Sequence, residues 1–146
     1  MGSKSDYLEK KLLDQVLGGQ AYAPPATVHL ALFLVDGDVA PDVTEAGVSG
    51  ASEVPTTGGT GYTRLAIPNT LAERPAASGS PSRKTNASLK LFPTAQADWG
   101  VVGEWALMDA ATGGNVLYYG EFTRKREILA GDTATVAAGT VDITED

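Results

Sequence analysis

The 146-residue sequence contains no cysteine, a single histidine and only 7% aromatic residues. The absence of cysteine excludes disulfide bonds and thiolate metal sites. No apolar run reaches the roughly 18 residues that a membrane-spanning helix requires, so we expect no membrane partner. Residues 1–20 lack the apolar core of a secretory signal peptide, and we therefore expect the chain to be made in the cytoplasm.

The composition is that of a folded domain with an acidic surface. Hydrophobic residues make up 42% and charged residues 20% of the chain, which at this length is typical of one globular domain. The formal net charge is −7, and an acidic protein repels a phosphate backbone, so we expect no nucleic-acid partner. Frequent glycine (17) and proline (8) indicate many short elements joined by turns.

One segment, residues 6–17, has the periodicity of an amphipathic helix. Its apolar residues recur at helical spacing: Leu8, Leu12, Leu13, Val16 and Leu17. Asp6 is the predicted N-cap, and Gly18-Gly19 is the predicted C-terminal stop. A helix of about three turns is marginally stable alone, so its leucine side chains must pack against another element. They dock either on the sheet of the same chain or on a neighbouring subunit.

The remainder of the chain predicts short β-strands separated by turns and by two long loops, residues 36–61 and 69–86. The predicted strands are residues 27–35, 62–67, 86–92, 101–108, 116–122, 126–129, 133–136 and 140–144. The first of them is apolar at nearly every position, which predicts a central strand buried on both faces. We therefore predict a mainly β fold, an antiparallel β-sandwich or jelly-roll-like barrel with one short N-terminal helix. Residues 1–22 are expected to form a helical arm, and residues 23–146 a single β domain.

The predicted strand 86–92 illustrates how alternation of apolar and polar residues fixes a register. Leu89 and Leu91 fall on one face and are expected to point inward, whereas Lys90 is expected to point outward. Pro93 lacks a backbone N–H and is expected to end the strand.

Four aromatic residues gather around the predicted hairpin: Trp99, Trp105, Tyr118 and Tyr119. If they are exposed, they form a platform on which a sugar can stack, and if they are buried, they fill the core. Trp105 shares a strand face with Leu107, which predicts that Trp105 is buried. Tyr118 and Tyr119 are neighbours in a strand and therefore point to opposite faces.

The chain offers no recognisable catalytic apparatus. His29 lies within an apolar strand, and no G-x-S-x-G sequence supplies a nucleophile for it. Residues 58–61 (GGTG) lack the lysine of a phosphate-binding loop. We therefore expect no enzymatic activity, no catalytic residue and no bound cofactor.

Two acidic segments have simpler interpretations than a metal or catalytic site. Residues 36–42 resemble the start of a calcium loop, but Pro41 and Gly47 stand where that loop needs glycine and glutamate. The sequence ends in three further acids: Asp142, Glu145 and Asp146. We interpret these as a solvated tail and not as the facing carboxylates of a glycosidase. No metal site is predicted.

Short motifs follow one another along nearly the whole chain. They are residues 7–9 (YLE), 24–28 (PPATV), 31–33 (ALF), 61–64 (GYTR), 91–95 (LFPTA), 97–100 (ADWG), 112–120 (TGGNVLYYG) and 130–133 (AGDT). Their order and spacing resemble small structural proteins from the virions of tailed bacteriophages, a group often labelled tail fibre proteins. The 69–86 loop has no counterpart in that pattern.

The resemblance implies a non-enzymatic structural component of the phage virion that is made in the host cytoplasm. A small acidic β domain with an N-terminal helix suits a capsid decoration (cement) protein. That class implies a homotrimer whose partner is the major capsid protein. The alternative is a tail-fibre or receptor-binding module that binds carbohydrate.

Eight residues are candidates for the interfaces of such an assembly. The helix and the proline arm carry more apolar surface than one small domain can cover, and the 69–86 loop is locally basic. The candidates are Leu8, Leu12, Leu13, Pro24, Pro25, Arg74, Arg83 and Lys84.

Overall fold

The computed structural model describes residues 2–35, 43–48 and 52–145. The acidic segment 36–42 lies outside these residues. The described part of the chain contains one helix, α1 (Asp6–Gly18), and eleven strands. The strands are β1 (Gly2–Lys4), β2 (Thr27–Leu34), β3 (Val43–Thr44), β4 (Gly47–Val48), β5 (Leu65–Pro68), β6 (Ser82–Thr85), β7 (Lys90–Thr94), β8 (Gly100–Met108), β9 (Val116–Ile128), β10 (Thr133–Val136) and β11 (Asp142–Glu145). The predicted mainly β fold with one short N-terminal helix is confirmed.

Seven of the strands form one curled sheet in the order β5-β2-β8-β9-β1-β11-β6. Neighbouring strands in it are antiparallel except β1 and β11, which are parallel. Strands β7 and β10 form a separate pair, as do β3 and β4. The short strand β1 thus connects the two halves of the large sheet. The division into an arm of residues 1–22 and a β domain of residues 23–146 stays an expectation, although β1 belongs to the sheet.

Strand β2 lies at the centre of the core, as its continuous apolar sequence predicts. Leu30 and Leu32 face one hydrophobic cluster, and Ala31 and Phe33 face a second cluster on the other side of the sheet. All four are at most 1% exposed. The prediction of a strand buried on both faces is therefore confirmed.

The hairpin of β8 and β9 carries the large aromatic core residue. Trp105 is fully buried, which confirms its predicted position, and it pairs across the strands with Gly120. Its indole ring lies against Gly2 of β1, where only the absence of a side chain leaves room for it. Tyr118 packs against the first hydrophobic cluster and Tyr119 against the second, so the two tyrosines point to opposite faces as predicted.

The predicted register of residues 86–92 is wrong. Strand β7 begins at Lys90 and includes Pro93, while Leu89 and Leu91 are 52% and 55% exposed. Phe92 points inward instead, and Lys90 points inward with it because a partly buried ion pair with Glu73 neutralises the Lys90 ammonium. Pro93 is tolerated because β7 pairs with β10 alone, at an irregularity in the register.

Two other strand predictions are corrected by long-range pairing. The predicted strands 116–122 and 126–129 are one continuous strand, β9, because β8 pairs with it on both sides of a register irregularity at residues 122–125. Strands β1 and β6 are polar and were not predicted, since their formation depends on pairing with β9 and β11. The predicted strand 62–67 begins only at Leu65.

Helix α1 is capped by Ser5 and not by Asp6. The Ser5 side-chain oxygen accepts a hydrogen bond from the Leu8 backbone N–H at 3.3 Å, and its backbone is extended. At the other end Gly19 adopts the left-handed conformation, which confirms the predicted glycine stop. The described residues include no other helix, and α1 is too short and too polar to cross a membrane.

Only the first half of α1 is covered by its own chain. Leu8 is 4% exposed and Leu12 packs partly against the same cluster. The side chains of Leu13, Val16 and Leu17 are 58%, 76% and 82% exposed. The helix therefore docks on its own sheet through one turn and presents an aliphatic surface, here called the helix face, through the others.

Candidate functional site

A groove of about 680 Å³ runs between α1 and the segment that precedes and includes β6. Seven of the eight predicted interface residues line it: Leu8, Leu12, Pro24, Pro25, Arg74, Arg83 and Lys84. The eighth, Leu13, lies outside the groove on the helix face. Residues that are up to 76 positions apart in sequence are thus brought to one concave surface.

The floor of the groove is apolar and is built by the sheet. Leu107 of β8, Leu117 of β9 and Ile143 of β11 line it together with Leu8 of the helix. These four residues are at most 5% exposed and belong to one hydrophobic cluster. The floor is therefore rigid, whereas the rim is formed by the proline arm and the 69–86 segment.

Arg74 is the most unusual residue of the groove. It is only 5% exposed, and its Nε and Nη2 have no hydrogen-bond partner. Its backbone N–H donates to the Thr70 carbonyl at 3.1 Å, which fixes the turn that carries it. Burial lowers the pKa of its guanidinium from the usual value, but an arginine keeps its charge in a protein. A buried guanidinium with open donors is energetically unfavourable until an acceptor reaches it.

Two other arginines show which group accepts hydrogen bonds from the Nε and Nη2 atoms, here called the Nε/Nη2 edge of the guanidinium. Arg83 donates from Nε and Nη2 to the two carboxylate oxygens of Asp142, at 2.7 and 2.9 Å. Arg64 donates from the same two atoms to Glu53, at 2.7 and 2.8 Å. In both cases a single carboxylate occupies the Nε/Nη2 edge in bidentate fashion. Arg74 has the same donor edge without such a carboxylate.

The groove also contains an acidic group whose charge is balanced. Glu145 Oε2 accepts from Lys4 Nζ at 2.8 Å, while its Oε1 is buried without a partner. Burial and the neighbouring Glu145 raise the pKa of Tyr118 to about 12, so this tyrosine is neutral at physiological pH. The prediction of a solvated acidic tail is wrong for Asp142 and Glu145, which lie in β11 and form ion pairs. Asp146 lies outside the described residues.

The aromatic residues do not form a surface platform. Tyr62 stands edge-on to Trp99 at a ring-centroid distance of 5.3 Å and stacks on Phe92 at 6.2 Å. Trp99 Nε1 donates to the Thr60 carbonyl at 2.9 Å. The aromatic residues divide into five that are buried and five that are half-buried, so none is exposed. The interpretation as core residues therefore holds for Trp99 and Trp105, whereas Tyr118 and Tyr119 are only partly covered.

The other candidate residues do not converge on a reaction centre. His29 is half-buried in β2, between Ala66 of β5 and Met108 of β8. Gly59 adopts a positive φ in the turn before Tyr62, which explains the glycine-rich sequence there.

One acidic cluster was not singled out from the sequence. Carboxylate oxygens of Asp6, Glu9 and Glu45 lie within 4.8 Å of one another at the start of α1. The positive end of the helix dipole stabilises acids at this position, so the cluster is accounted for without a ligand. The sequence alone indicates only that Asp6 and Glu9 lie close together on the helix, because Glu45 belongs to the distant turn between β3 and β4.

Comparison with known proteins identifies the family. The family model described as podophage GP4 fiber I protein gp80 matches residues 3–144, which is nearly the whole chain and includes every residue of the groove except Glu145. A comparison with curated proteins gave no match. The predicted resemblance to structural proteins of the phage virion is thereby confirmed, without a distinction between capsid and fibre. The chain belongs to the podophage GP4 fiber I protein gp80 family.

Proposed function

We propose that this phage virion structural protein is a non-enzymatic component of the virion fibre that is held by contacts with neighbouring polypeptides. The family description names a fibre protein, which supports the fibre over the capsid shell. The groove and the helix face are the surfaces that we expect to make these contacts. They contain seven of the predicted interface residues and Leu13, respectively.

The observation that carries this proposal is the character of the exposed apolar surface. In the part of the chain that the structure describes, all the large hydrophobic residues that are exposed are aliphatic, with Leu17, Val16 and Leu71 the most exposed. Aliphatic side chains bury area against another protein but cannot stack on a sugar ring. A structural role in the fibre is therefore favoured over recognition of a host carbohydrate.

A capsid decoration protein is the second candidate. Residues 75–83 are exposed along their whole length and contain alanine, serine, glycine and proline without any aromatic ring. Such a segment suits broad, shallow contacts with a protein shell. In this case the partner is the major capsid protein, and several weak contacts made at once would hold a homotrimer firmly.

The two candidates differ in the particle to which purified protein binds. We would mix the protein with fibreless particles, with expanded empty capsids and with host cells, and measure what sediments with each. The fibre proposal predicts binding to fibreless particles and none to complete particles, whose positions are already occupied. Binding to empty capsids, with a rise in their melting temperature, would favour the decoration protein. Adsorption to host cells with no binding to either particle would contradict both candidates.

A further inference from the structure

The chain leaves two complementary surfaces uncovered. The groove offers an apolar floor beside Arg74, whose Nε/Nη2 edge has no partner. The helix face offers Leu13, Val16 and Leu17 to solvent. The helix face therefore exposes aliphatic side chains that a protein of this size normally covers, and the groove contains a buried guanidinium with unsatisfied donors.

A carboxylate is the group that completes Arg74. The Nε and Nη2 atoms of Arg83 donate to the Asp142 carboxylate, and those of Arg64 donate to the Glu53 carboxylate. In this chain a carboxylate thus satisfies the same pair of guanidinium donors twice. The nearest acid in sequence, Glu73, is committed to Lys90. Among residues 2–35, 43–48 and 52–145 no acid is hydrogen-bonded to this edge, so a second copy of the chain can supply the carboxylate.

The helix face carries a carboxylate among its aliphatic residues. Asp14 is exposed, follows Leu13 directly and lies one turn before Leu17. No basic residue stands in the last turn of α1 to balance this acid at the negative end of the helix dipole. Lys10 and Lys11 precede Asp14 by four and three residues on the same helix, so a cation of another copy would add to the charges that already surround Asp14.

We propose that the groove of one copy receives the helix face of a second copy, with Asp14 of the second copy paired to Arg74. The Nε and Nη2 atoms are covered in the isolated chain, so the proposed contact requires the guanidinium to turn into the groove as the carboxylate binds. Glu145 opposes this approach only weakly because Lys4 balances its charge at 2.8 Å. The aliphatic side chains of the helix face then cover the apolar lining that is still accessible, which includes Leu12, Pro24 and Pro25.

The proposed contact joins two different surfaces, so successive copies are arranged head to tail. Contacts of this kind produce closed rings when the rotation between copies divides a full turn. A ring of three copies is the homotrimer expected from the sequence. The contact does not depend on where in the virion the protein lies. The contact can therefore be wrong while the proposed function is right, and the proposed function can be wrong while the contact is right.

Sedimentation equilibrium of purified variants tests the contact. The wild-type protein should self-associate, and Asp14→Arg should weaken the association constant by at least about 30-fold, the factor expected when a desolvated charge pair is broken. Asp14→Arg leaves folding intact, because a cation near the C-terminus of a helix is favourable. Glu127→Arg makes the same change of charge at an exposed position of β9 and should leave association unchanged.

The charge-swapped pair identifies the partners. Arg74→Glu should also weaken association, and the double variant Asp14→Arg/Arg74→Glu should restore it. If Arg74→Glu does not fold, Leu17→Gln replaces it, because Leu17 is 82% exposed and its loss should reduce association but not stability. A wild-type protein that stays monomeric would overturn the proposal. So would association that is unaffected by both Asp14→Arg and Leu17→Gln.

Discussion

The position of Gly2 against Trp105 gives the sharpest prediction about the fold. A Cβ atom added at Gly2 would lie 2.5 Å from Trp105 Cη2, 2.8 Å from Trp105 Cζ2 and 3.0 Å from the Tyr119 carbonyl oxygen. Carbon atoms in good contact are about 3.5–4.0 Å apart, so the added methyl overlaps the indole ring by about 1 Å. Trp105 is 0% exposed and cannot move aside without disturbing the core.

Gly2→Ala should therefore lower the free energy of unfolding by about 1–3 kcal/mol, the usual cost of overpacking a core. Urea denaturation followed by far-ultraviolet circular dichroism measures this change. Gly18→Ala is the matched control: its added Cβ would meet only Gln20 Cγ at 4.0 Å. That change, within helix α1, should leave stability unchanged or raise it by about 0.5–1 kcal/mol.

A double-mutant cycle attributes the loss to the contact with the indole ring. In a Trp105→Phe background the smaller ring leaves space, so Gly2→Ala should cost at least about 1 kcal/mol less than it does in the wild type. Equal costs in both backgrounds, or a wild-type cost below about 0.3 kcal/mol, would show that β1 does not pack on Trp105. The insertion of β1 between β9 and β11 would then be wrong.

Three further variants test the core and the groove. Trp105→Ala should lower the free energy of unfolding by about 3–5 kcal/mol in urea denaturation, and a loss below about 1 kcal/mol would mean that the ring is not in the core. Asn86 donates from Nδ2 to two backbone carbonyls and accepts the Val141 N–H, each at 2.9 Å, so Asn86→Ala should cost at least about 2 kcal/mol in the same assay. The raised pKa of Tyr118, about 12 against the ordinary 10.0, means that the folded protein holds this proton more tightly than the unfolded chain. The contribution of this proton to the free energy of unfolding is complete below the ordinary pKa of 10.0 and is lost as the pH rises to the raised pKa of about 12. Between these two pH values the wild type should therefore lose stability more steeply than Tyr118→Phe. Identical slopes for the two proteins would contradict the burial of Tyr118.

Local sequence patterns correctly predicted the elements in which the spacing of apolar residues determines which side chains are buried. The apolar sequence of β2 indicated a strand buried on both faces, and the spacing of leucines with Gly19 indicated helix α1. In these elements the hydrophobic period and the terminating residue both lie within a few positions. The packing of Trp105 followed from the same alternation.

Elements that depend on distant partners were missed or reversed. Strand β1 has no apolar residue, and it forms because β9 and β11 both offer it hydrogen bonds. The register of β7 is reversed because Lys90 is buried against Glu73, seventeen positions earlier, and nothing near Lys90 in sequence signals that pairing. A slip of one residue moves every side chain of a strand to the other face.

The composition of the groove could be predicted in part. Basic residues of the 69–86 loop and apolar residues of the arm and helix were expected at an interface, and seven of them line one surface. The missing hydrogen-bond partner of the buried Arg74 guanidinium could not be predicted. Arg64, Arg74 and Arg83 look alike in sequence, and only the tertiary structure determines which of them receives a carboxylate from its own chain.

Electron cryo-microscopy of the intact phage particle tests the proposed function most directly. The account predicts density that fits the curled sheet and helix α1 within a fibre, with the groove of each copy against another polypeptide. The same density over the capsid shell would support the decoration protein instead. Density at the fibre tip, with the groove empty and open to solvent, would contradict a structural role carried by protein–protein contacts.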